Sequence, residues 1–425
     1  KAHIGMVKNA YATGNTQLTK MADKVNQLSG TFQILPDFLG SDQPRTYALM
    51  AMTTSEERSS GGLIGSVGVV TTDNGKISIG DFRSDGEYIP YGAGDPTEDE
   101  QRIFRQWGPL NMSFDVRDLA VYPDTSRSAE GMRAIWQRTP WGSNTQLDGV
   151  LMVDPVFLQE LTKISGNVTI PDGTVLTGDN TAEFLLNKVY VDYPVSMQDA
   201  LFAQVAEQAV GSMFSNVDLA KLTKVAQLMG SMAEGRHFSM YAFDETAEKT
   251  ISDAGFTAQT PSSEEHPQVG VYVTEQNPSK MGWYIHRTSK VTRSTCDNDG
   301  SQTYHVEYTM TNTLESSQIG ALTSYILGSG GQGVEKTLIY APAGGSISNL
   351  KTSGGSVTES RQETLNGKTV YASNATIAPG ESVTYSFDVT TSTKAVSDLT
   401  IDQTPMGWID SGVTTDTAAC SINKQ

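Results

Sequence analysis

Three short apolar runs, Tyr47 to Thr53, Ile64 to Thr72 and Lys76 to Phe82, predict three strands near the start of the chain. Asp73-Asn74-Gly75 joins the last two as a tight hairpin, because Asn and Gly accept the positive φ that such turns need. Upstream, Ile4, Val7, Ala10, Leu18, Met21, Val25 and Leu28 recur at roughly helical spacing and read as a stalk or docking helix. Downstream, helical patterns cover 98–107 and 126–138, the second with Ser126 or Ser128 as its cap. A strand over 148–153 ends in Asp154-Pro155, which opens a helix through 164. Gly166 stops that helix, and a short strand follows at 168–171. Helices are then predicted over 177–190, 196–214 and 217–232, and strands over 238–243 and 269–274. Strands alternating with helices predict an α/β layered domain, with helices on both faces of a mixed sheet.

After about 280 the period changes. Residues 304–311, 335–340, 369–372 and 382–389 alternate apolar and polar positions between Gly, Ser, Asn and Pro turns, which predicts a small β-sandwich. The division expected is an N-terminal helix over 1–34, the α/β domain over 35–283 and the β-sandwich over 284–425. A chain of 425 residues exceeds the size at which single cores stop growing, so more than one domain is expected.

Charge narrows the partners. A formal net charge of −18 argues against nucleic acid and anionic lipid surfaces, whose binding needs clustered Lys and Arg. There are two cysteines, Cys296 and Cys420, near the ends of the β segment. In an exported protein they would pair, for roughly 4 to 5 kcal/mol in the chain-entropy picture. No run of about 18 apolar residues is present to span a membrane. The start at Lys1 within a helical pattern is read as an ectodomain whose export signal or anchor has been trimmed.

Candidate chemistry begins with the arginines. Arg58 follows a predicted strand and precedes Ser-Ser-Gly-Gly, whose backbone amides suit an anion, while guanidinium gives bidentate phosphate contacts. Arg83 stands at the end of the neighbouring strand, and Arg117 with Asp118, and Asp124 with Arg127, would complete a mixed site. Among several nearby acids, Asp81 and Asp85 are the candidate ligands for a magnesium ion shared with substrate phosphate. The five histidines are scattered without metal spacing, and neither a nucleophile elbow nor a P-loop occurs. Ser348-Asn349-Leu350-Lys351 has the Ser-x-x-Lys spacing but lies among β turns. Trp107, Trp136, Trp141, Trp283, Trp408 and Tyr284 are candidates for stacking on sugar rings, or for core packing.

The stretch Leu39 to Phe82 resembles the opening of the bacterial family called domain of unknown function 4012. The likeness continues through Val116-Arg117-Asp118 to Pro123-Asp124, Leu147-Asp148-Gly149-Val150 to Asp154-Pro155, and Leu176 to Asn180. Asn277-Pro278-Ser279-Lys280-Met281-Gly282-Trp283-Tyr284 extends it, so that it runs from about Leu35 to Trp408. It implies an exported, membrane-anchored protein of Gram-positive bacteria. A more distant likeness is to the LytR-CpsA-Psr phosphotransferases, with Arg58-Ser59-Ser60 and Asp81-Phe82-Arg83-Ser84-Asp85 at the places of two motifs that grip magnesium pyrophosphate. Three places depart from that pattern. Ser60 replaces the metal-binding acid, and Asn187-Lys188-Val189 stands where the relatives carry an arginine pair, which leaves Lys188 as the cation. A third departure is Gln198 or Asp199 in place of a further arginine.

The reading that results is an extracellular cell-envelope protein acting on lipid-pyrophosphate-linked glycopolymer. In it Arg58 and Arg83 clamp the pyrophosphate and Asp81 or Asp85 aids magnesium. The alternative is a glycopolymer-binding or scaffold protein with a degenerate site. An adhesin or fibre subunit is a third reading, which leaves the α/β domain without a role.

Overall fold

In this computed structural model the described residues are 29–30, 33–34, 36–213, 215 and 219–420. The helix predicted over residues 3–28 lies outside them.

The α/β region is built on one mixed sheet. β1 (Arg45–Arg58) and β2 (Gly61–Asp73) form a long antiparallel hairpin, extended on its outer edge by β3 (Lys76–Ile79) and the short β4 (Arg83–Ser84). The β2–β3 turn places Asn74 at φ 47° and Gly75 at φ 81°, the left-handed pair its sequence asks for. Helix α1 (Thr125–Trp136) precedes β5 (Gly149–Val153), which lies parallel to β1. Its N-cap position is Asp124, not Ser126 or Ser128. Helix α2 (Pro155–Ser165) follows, capped by the Asp154 carboxylate on the Phe157 amide, and Gly166 ends it at φ 99°. After a two-stranded ladder of β6 (Val168–Thr169) and β7 (Val175–Leu176) come α3 (Val195–Met213) and α4 (Leu219–Glu234), and β8 (Phe238–Ala242) completes the sheet in the order β3-β2-β1-β5-β8. Alternate residues of β1 serve opposite faces. Tyr47, Leu49 and Ala51 meet helices α2 to α4, whereas Ala48, Met50 and Met52 meet α1, the 85–121 excursion and part of the β region. Burial on both sides explains why β1 reads as a continuous apolar run.

The β region consists of two mixed five-stranded sheets. β9 (Gln268–Glu275), β10 (Ile285–Cys296), β11 (Gln302–Asn312), β12 (Gly333–Tyr340), β13 (Ser346–Ser353), β14 (Ser356–Leu365), β15 (Lys368–Ile377), β16 (Ser382–Thr390), β17 (Thr400–Gln403) and β18 (Val413–Asp416) are ordered β13-β16-β11-β10-β18 and β14-β15-β12-β9-β17. The run predicted at 269–274 is therefore a strand of this region and not of the first sheet. Val271, Val273, Ile339 and Ile377 of one sheet share a core with Tyr304, Val306, Met310 and Phe387 of the other. The opposite face of the first of these sheets, through Tyr272, Leu338, Tyr340 and Val370, packs on the α/β region. Cys296 and Cys420 form a disulfide that ties the end of β10 to the segment after β18.

At this seam the tip of the β1–β2 hairpin enters the β region and carries charge inside. Arg287 of β10 is fully buried, with its Nη2 3.0 Å from the Glu57 carboxylate. Glu335 and Glu275 face each other as direct cross-strand partners on β12 and β9, both buried. Three carboxyls are thus gathered near two guanidiniums, Arg287 paired with Glu57 and Arg58 paired with Asp118 while also acting on Glu275 and Glu335. Burial pushes the Glu57 carboxyl up to about 7 against the pull of Arg287 and a hydrogen bond with Glu335. Burial likewise raises Glu335, with Glu57 and Glu275 adding to it, and raises Glu275, with Glu56 adding to it. The folded cluster therefore keeps protons that the unfolded chain releases.

A carboxyl held high in the fold stabilises fully below its unfolded value, 4.5 for Glu57, and that contribution is lost as pH rises through about 7. We expect the stability measured by urea denaturation to fall between those pH values, by on the order of 3 kcal/mol if Glu57 dominates. Glu57→Gln should make the slope shallower. A wild-type profile that is flat or rising across this window would remove the shared-proton description.

Candidate functional site

The carboxyl ends of the parallel strands β1 and β5, the usual position for a site in such sheets, carry a cluster of charged side chains, called the crevice below. Here β1 is interrupted. Thr53 pairs with Leu63 and Glu57 with Gly62, so residues 54–56 bulge out of the ladder. Two glycines let the bulge lie where it does. A Cβ on Gly62 would sit 1.9 Å from the Thr53 carbonyl oxygen, and one on Gly282 would sit 2.3 Å from that of Thr54.

The bulge presents Glu56, whose carboxylate receives a hydrogen bond from Lys280 Nζ. The same ammonium lies 4.8 Å from the ring centre of Tyr190 and 4.7 Å from that of Tyr325. Burial alone would pull the Lys280 ammonium down, but Glu56 and the two tyrosines hold it above its ordinary value. Tyr190 is anchored through its hydroxyl to Thr53 Oγ1 at 3.0 Å. Asp199, in the first turns of α3, and Asp85 complete the rim. The Asp85 carboxyl is pushed up to about 6, first by partial burial and then by the Asp199 charge, while the Gly86 amide and Arg117 pull it back. Burial also raises Asp199, with Glu56 adding to the effect and Lys280 opposing it. The crevice thus gathers three acids, Glu56, Asp85 and Asp199, with two bases, Lys280 and Arg117.

Other sequence candidates are placed differently. Arg58 is 5% exposed, and its Nη2 and Nε lie 2.9 and 3.1 Å from Asp118 Oδ1, with Nη1 on the Glu57 carbonyl. Asp118 takes two further hydrogen bonds, from the Ser113 amide and hydroxyl, both at 2.7 Å. Burial pushes its carboxyl up, yet Arg58 and Ser113 together keep it below the usual range. Arg83 pairs with Glu87 at 3.0 Å and lies 4.3 Å over Trp141. Register separates the two arginines: Arg58 is opposite Gly61 of β2, whereas Arg83 pairs with Val67 of the same strand. Six residues of strand, about 20 Å, lie between those backbone positions. Arg117 is paired with Asp115, Arg127 with Glu100 and Glu130, and exposed Lys188 with Glu183. Asp124 accepts from the Thr260 amide and hydroxyl.

Asp81 is exposed in the link between β3 and β4. Among the described residues no group of three His, Cys, Asp or Glu side chains is arranged to hold a metal. Asp81 and Asp85 are thus not part of a three-ligand protein cage, and a magnesium ion here would take its remaining ligands from water and substrate phosphate. Of the crevice residues, Tyr190, Lys280 and Tyr325 are not sequence candidates for the site, whereas Glu56 is one of several nearby acids and Asp199 is noted only where an arginine is expected. Lys280 lies inside the Asn277-to-Tyr284 run, which was legible as a motif but not as chemistry.

On the helix side of the same sheet, Leu49, Leu151, Phe157, Val210, Met229 and Phe238 line part of a cavity of about 60 Å³ with wholly apolar walls. Among the described residues no helix is long and apolar enough to cross a membrane.

If Arg58 serves the fold, removing either partner leaves a buried charge. Arg58→Met and Asp118→Asn should each cost about 3–5 kcal/mol in chemical denaturation, with the double variant costing less than their sum. A loss below about 1 kcal/mol for Arg58→Met would instead mark it as a cation free for a ligand.

No curated protein matches the chain. Among solved structures, a candidate nutrient binding protein from Legionella pneumophila is 11% identical over 30% of this chain and 44% of its own, with a TM-score of 0.19. The chain therefore spans less than half of that protein's length. The Lin1025 protein of Listeria innocua is 11% identical over 50% of this chain and 78% of its own, with a TM-score of 0.25. At those scores neither likeness bears on the site. Residues 42–190, which hold β1, the 85–121 excursion, β5 and the segment reaching Tyr190, match the family described as protein of unknown function, and the chain carries a DUF4012 domain there.

Proposed function

We propose that this chain is an extracellular cell-envelope protein that binds glycopolymer, lipid-linked or in the wall, and holds it without transferring it. The observation that carries this reading is the burial of Arg58 against Asp118, which removes the central cation of a pyrophosphate clamp. Arg83, about 20 Å of strand away and paired with Glu87, does not replace it. What stays open is a crevice with more acid than base, suited to the paired hydroxyls of a sugar. Carboxylates of Asp85 and Asp199 accept from hydroxyls, Lys280 and Arg117 donate, and the half-exposed ring of Tyr325 offers an apolar face.

Two further features support the setting. A disulfide closing 124 residues suits an oxidising compartment outside the cell. Val191, Val195 and Met197 stand 47, 61 and 45% exposed just before Asp199, an apolar shoulder beside the crevice for the lipid end of a carrier. In this reading the α/β region is a layered LytR-CpsA-Psr-like domain whose catalytic groups have been lost, followed by a β-sandwich. An N-terminal anchor places both on the outer face of a Gram-positive membrane.

The test is calorimetric titration of the chain with a purified cell-wall glycan strand and with a short polyprenyl pyrophosphate, each with and without magnesium. We expect the glycan to bind independently of magnesium, and Asp85→Asn with Asp199→Asn to weaken it about tenfold or more. Since Asp85 titrates near 6, affinity should decline as pH falls through that value. Magnesium-dependent cleavage of the pyrophosphate would return the transferase reading, and an absence of glycan binding would end the present one.

A further inference from the structure

A second cleft, of about 540 Å³, opens where the two regions meet on the far side of the β14-β15-β12 sheet edge. That volume falls within the range of about 300–1,000 Å³ typical of ligand pockets. Its floor is the sheet face bearing Thr358, Asn374 and Thr376, and its roof is the turn Gln106 to Pro109 of the α/β region.

Three local features build it. Lys336 of β12, fully buried, donates from Nζ to the carbonyls of Ile103 and Trp107 and so pins the roof to the floor. Gly108, at φ 109°, lets the roof lie this low, since a Cβ there would meet Gln276 Oε1 at 2.7 Å and Lys336 Nζ at 3.1 Å. The third feature is a bulge in β14. Thr358 pairs with Asn374 and Arg361 pairs with Ala372, so three residues on one strand answer two on the other. Asn374 and Ala372 point to the same face, and the extra residue therefore turns Arg361 onto the cleft side.

The polar groups so gathered are incompletely used. Trp107 Nε1–H and Asn374 Oδ1 have no hydrogen-bond partner, although their residues are only 6 and 5% exposed. A bound partner would supply the hydrogen bonds that these two groups lack. The Asn374 amide is oriented by its Nδ2, which donates to Glu359 Oε2 at 3.3 Å, leaving Oδ1 as the acceptor on offer. The Arg361 guanidinium lies 4.8 Å over the Trp107 ring and, among the described residues, makes no ion pair or hydrogen bond. In a chain of net charge −18, an arginine placed over an indole with no carboxylate partner among the described residues suits a planar, bidentate anion.

We infer that this cleft is a saccharide subsite for a sugar unit bearing a carboxylate, with Arg361 on the carboxylate and Asn374 Oδ1 and Trp107 Nε1 on ring hydroxyls. A carboxylate fits better than a phosphate because one guanidinium, with Glu359 nearby and no amide nest, balances a single charge. The inference shares the ligand class of the preceding proposal but uses none of the crevice residues.

The experiment is a calorimetric titration of the full chain with trigalacturonate and with its methyl ester, a neutral copy of the same shape. Wild type, Arg361→Gln and the crevice variant Asp85→Asn/Asp199→Asn are compared, with near-UV circular dichroism confirming each fold. The acid should bind wild type, the ester at least about tenfold more weakly, and Arg361→Gln should lose the difference. The crevice variant should bind the acid as wild type does, so that failure of the crevice reading leaves this one standing. Equal binding of acid and ester, an undiminished Arg361→Gln, or no binding at about 10 mM would each overturn it.

Discussion

The structure hinges on charge buried between its two regions. Glu57 and Arg58 are consecutive residues at the tip of the β1–β2 hairpin, and they turn to opposite partners. Glu57 reaches into the β region to Arg287, while Arg58 turns back to Asp118 within the α/β region. Removing water from such groups is costly, and the attraction between them repays that cost only when geometry is close and remaining atoms are bonded. Their value is one of register. An apolar seam would tolerate sliding, whereas a guanidinium that must find its carboxylate admits one docking of hairpin on sheet. The Arg236–Asp402 pair, which joins the α/β region to β17, restrains the same docking from another point, while the disulfide acts within the β region.

That use of charge decides what is left for ligands. Of the arginines that the sequence offers for an anion, Arg58, Arg83, Arg117 and Arg127 all face a carboxylate of this chain. Apart from Arg117, which borders the crevice as well as pairing with Asp115, the crevice groups come from β1, the 85–88 turn, α3 and the segment before β10, and their balance is acidic. Electrostatics there favours hydroxyl-rich or weakly cationic ligands over a pyrophosphate. Arg361, which among the described residues has no carboxylate partner, lies in the other cleft.

How much of this was legible follows from which side of each strand carries polar residues. The β1–β2–β3 segment was readable because its inward positions are apolar and its turn carries Asn-Gly. β10 was not, because Arg287, Ser289 and Arg293 occupy inward positions and only Ile285 and Val291 signal burial. A strand whose buried face is charged looks like a loop until its partners are known. The same blindness applied to Glu335 and Lys336 on β12, where alternation was visible but not what each face meets. The patterns over 98–107 and 177–190 are read as helices, and both segments contain π turns, at Arg102–Gln106 and Phe184–Lys188, which no side-chain periodicity distinguishes. The Arg58–Asp118 pair spans 60 residues, and the crevice partners Glu56 and Lys280 span 224. Sequence spacing carries no signal of such pairs, since they depend on the docking itself.

Both clefts are made by the same device. In β1 the residues 54–56 leave the ladder and deliver Glu56 to the crevice. In β14 the shift between Thr358 and Arg361 delivers Arg361 to the second cleft. A regular strand could present neither, because strict alternation would send the side chain to the wrong face or leave it flush with the sheet. The first bulge needs glycines beside it, Gly62 and Gly282, where a Cβ would collide with backbone, and Gly108 lets the roof lie low over the second cleft, where a Cβ would meet Gln276 and Lys336. These glycines and bulges stabilise nothing by themselves, and an extended ladder would fold as well without them. Their presence at the two places where polar side chains are left short of partners is the physical reason to regard those places as sites.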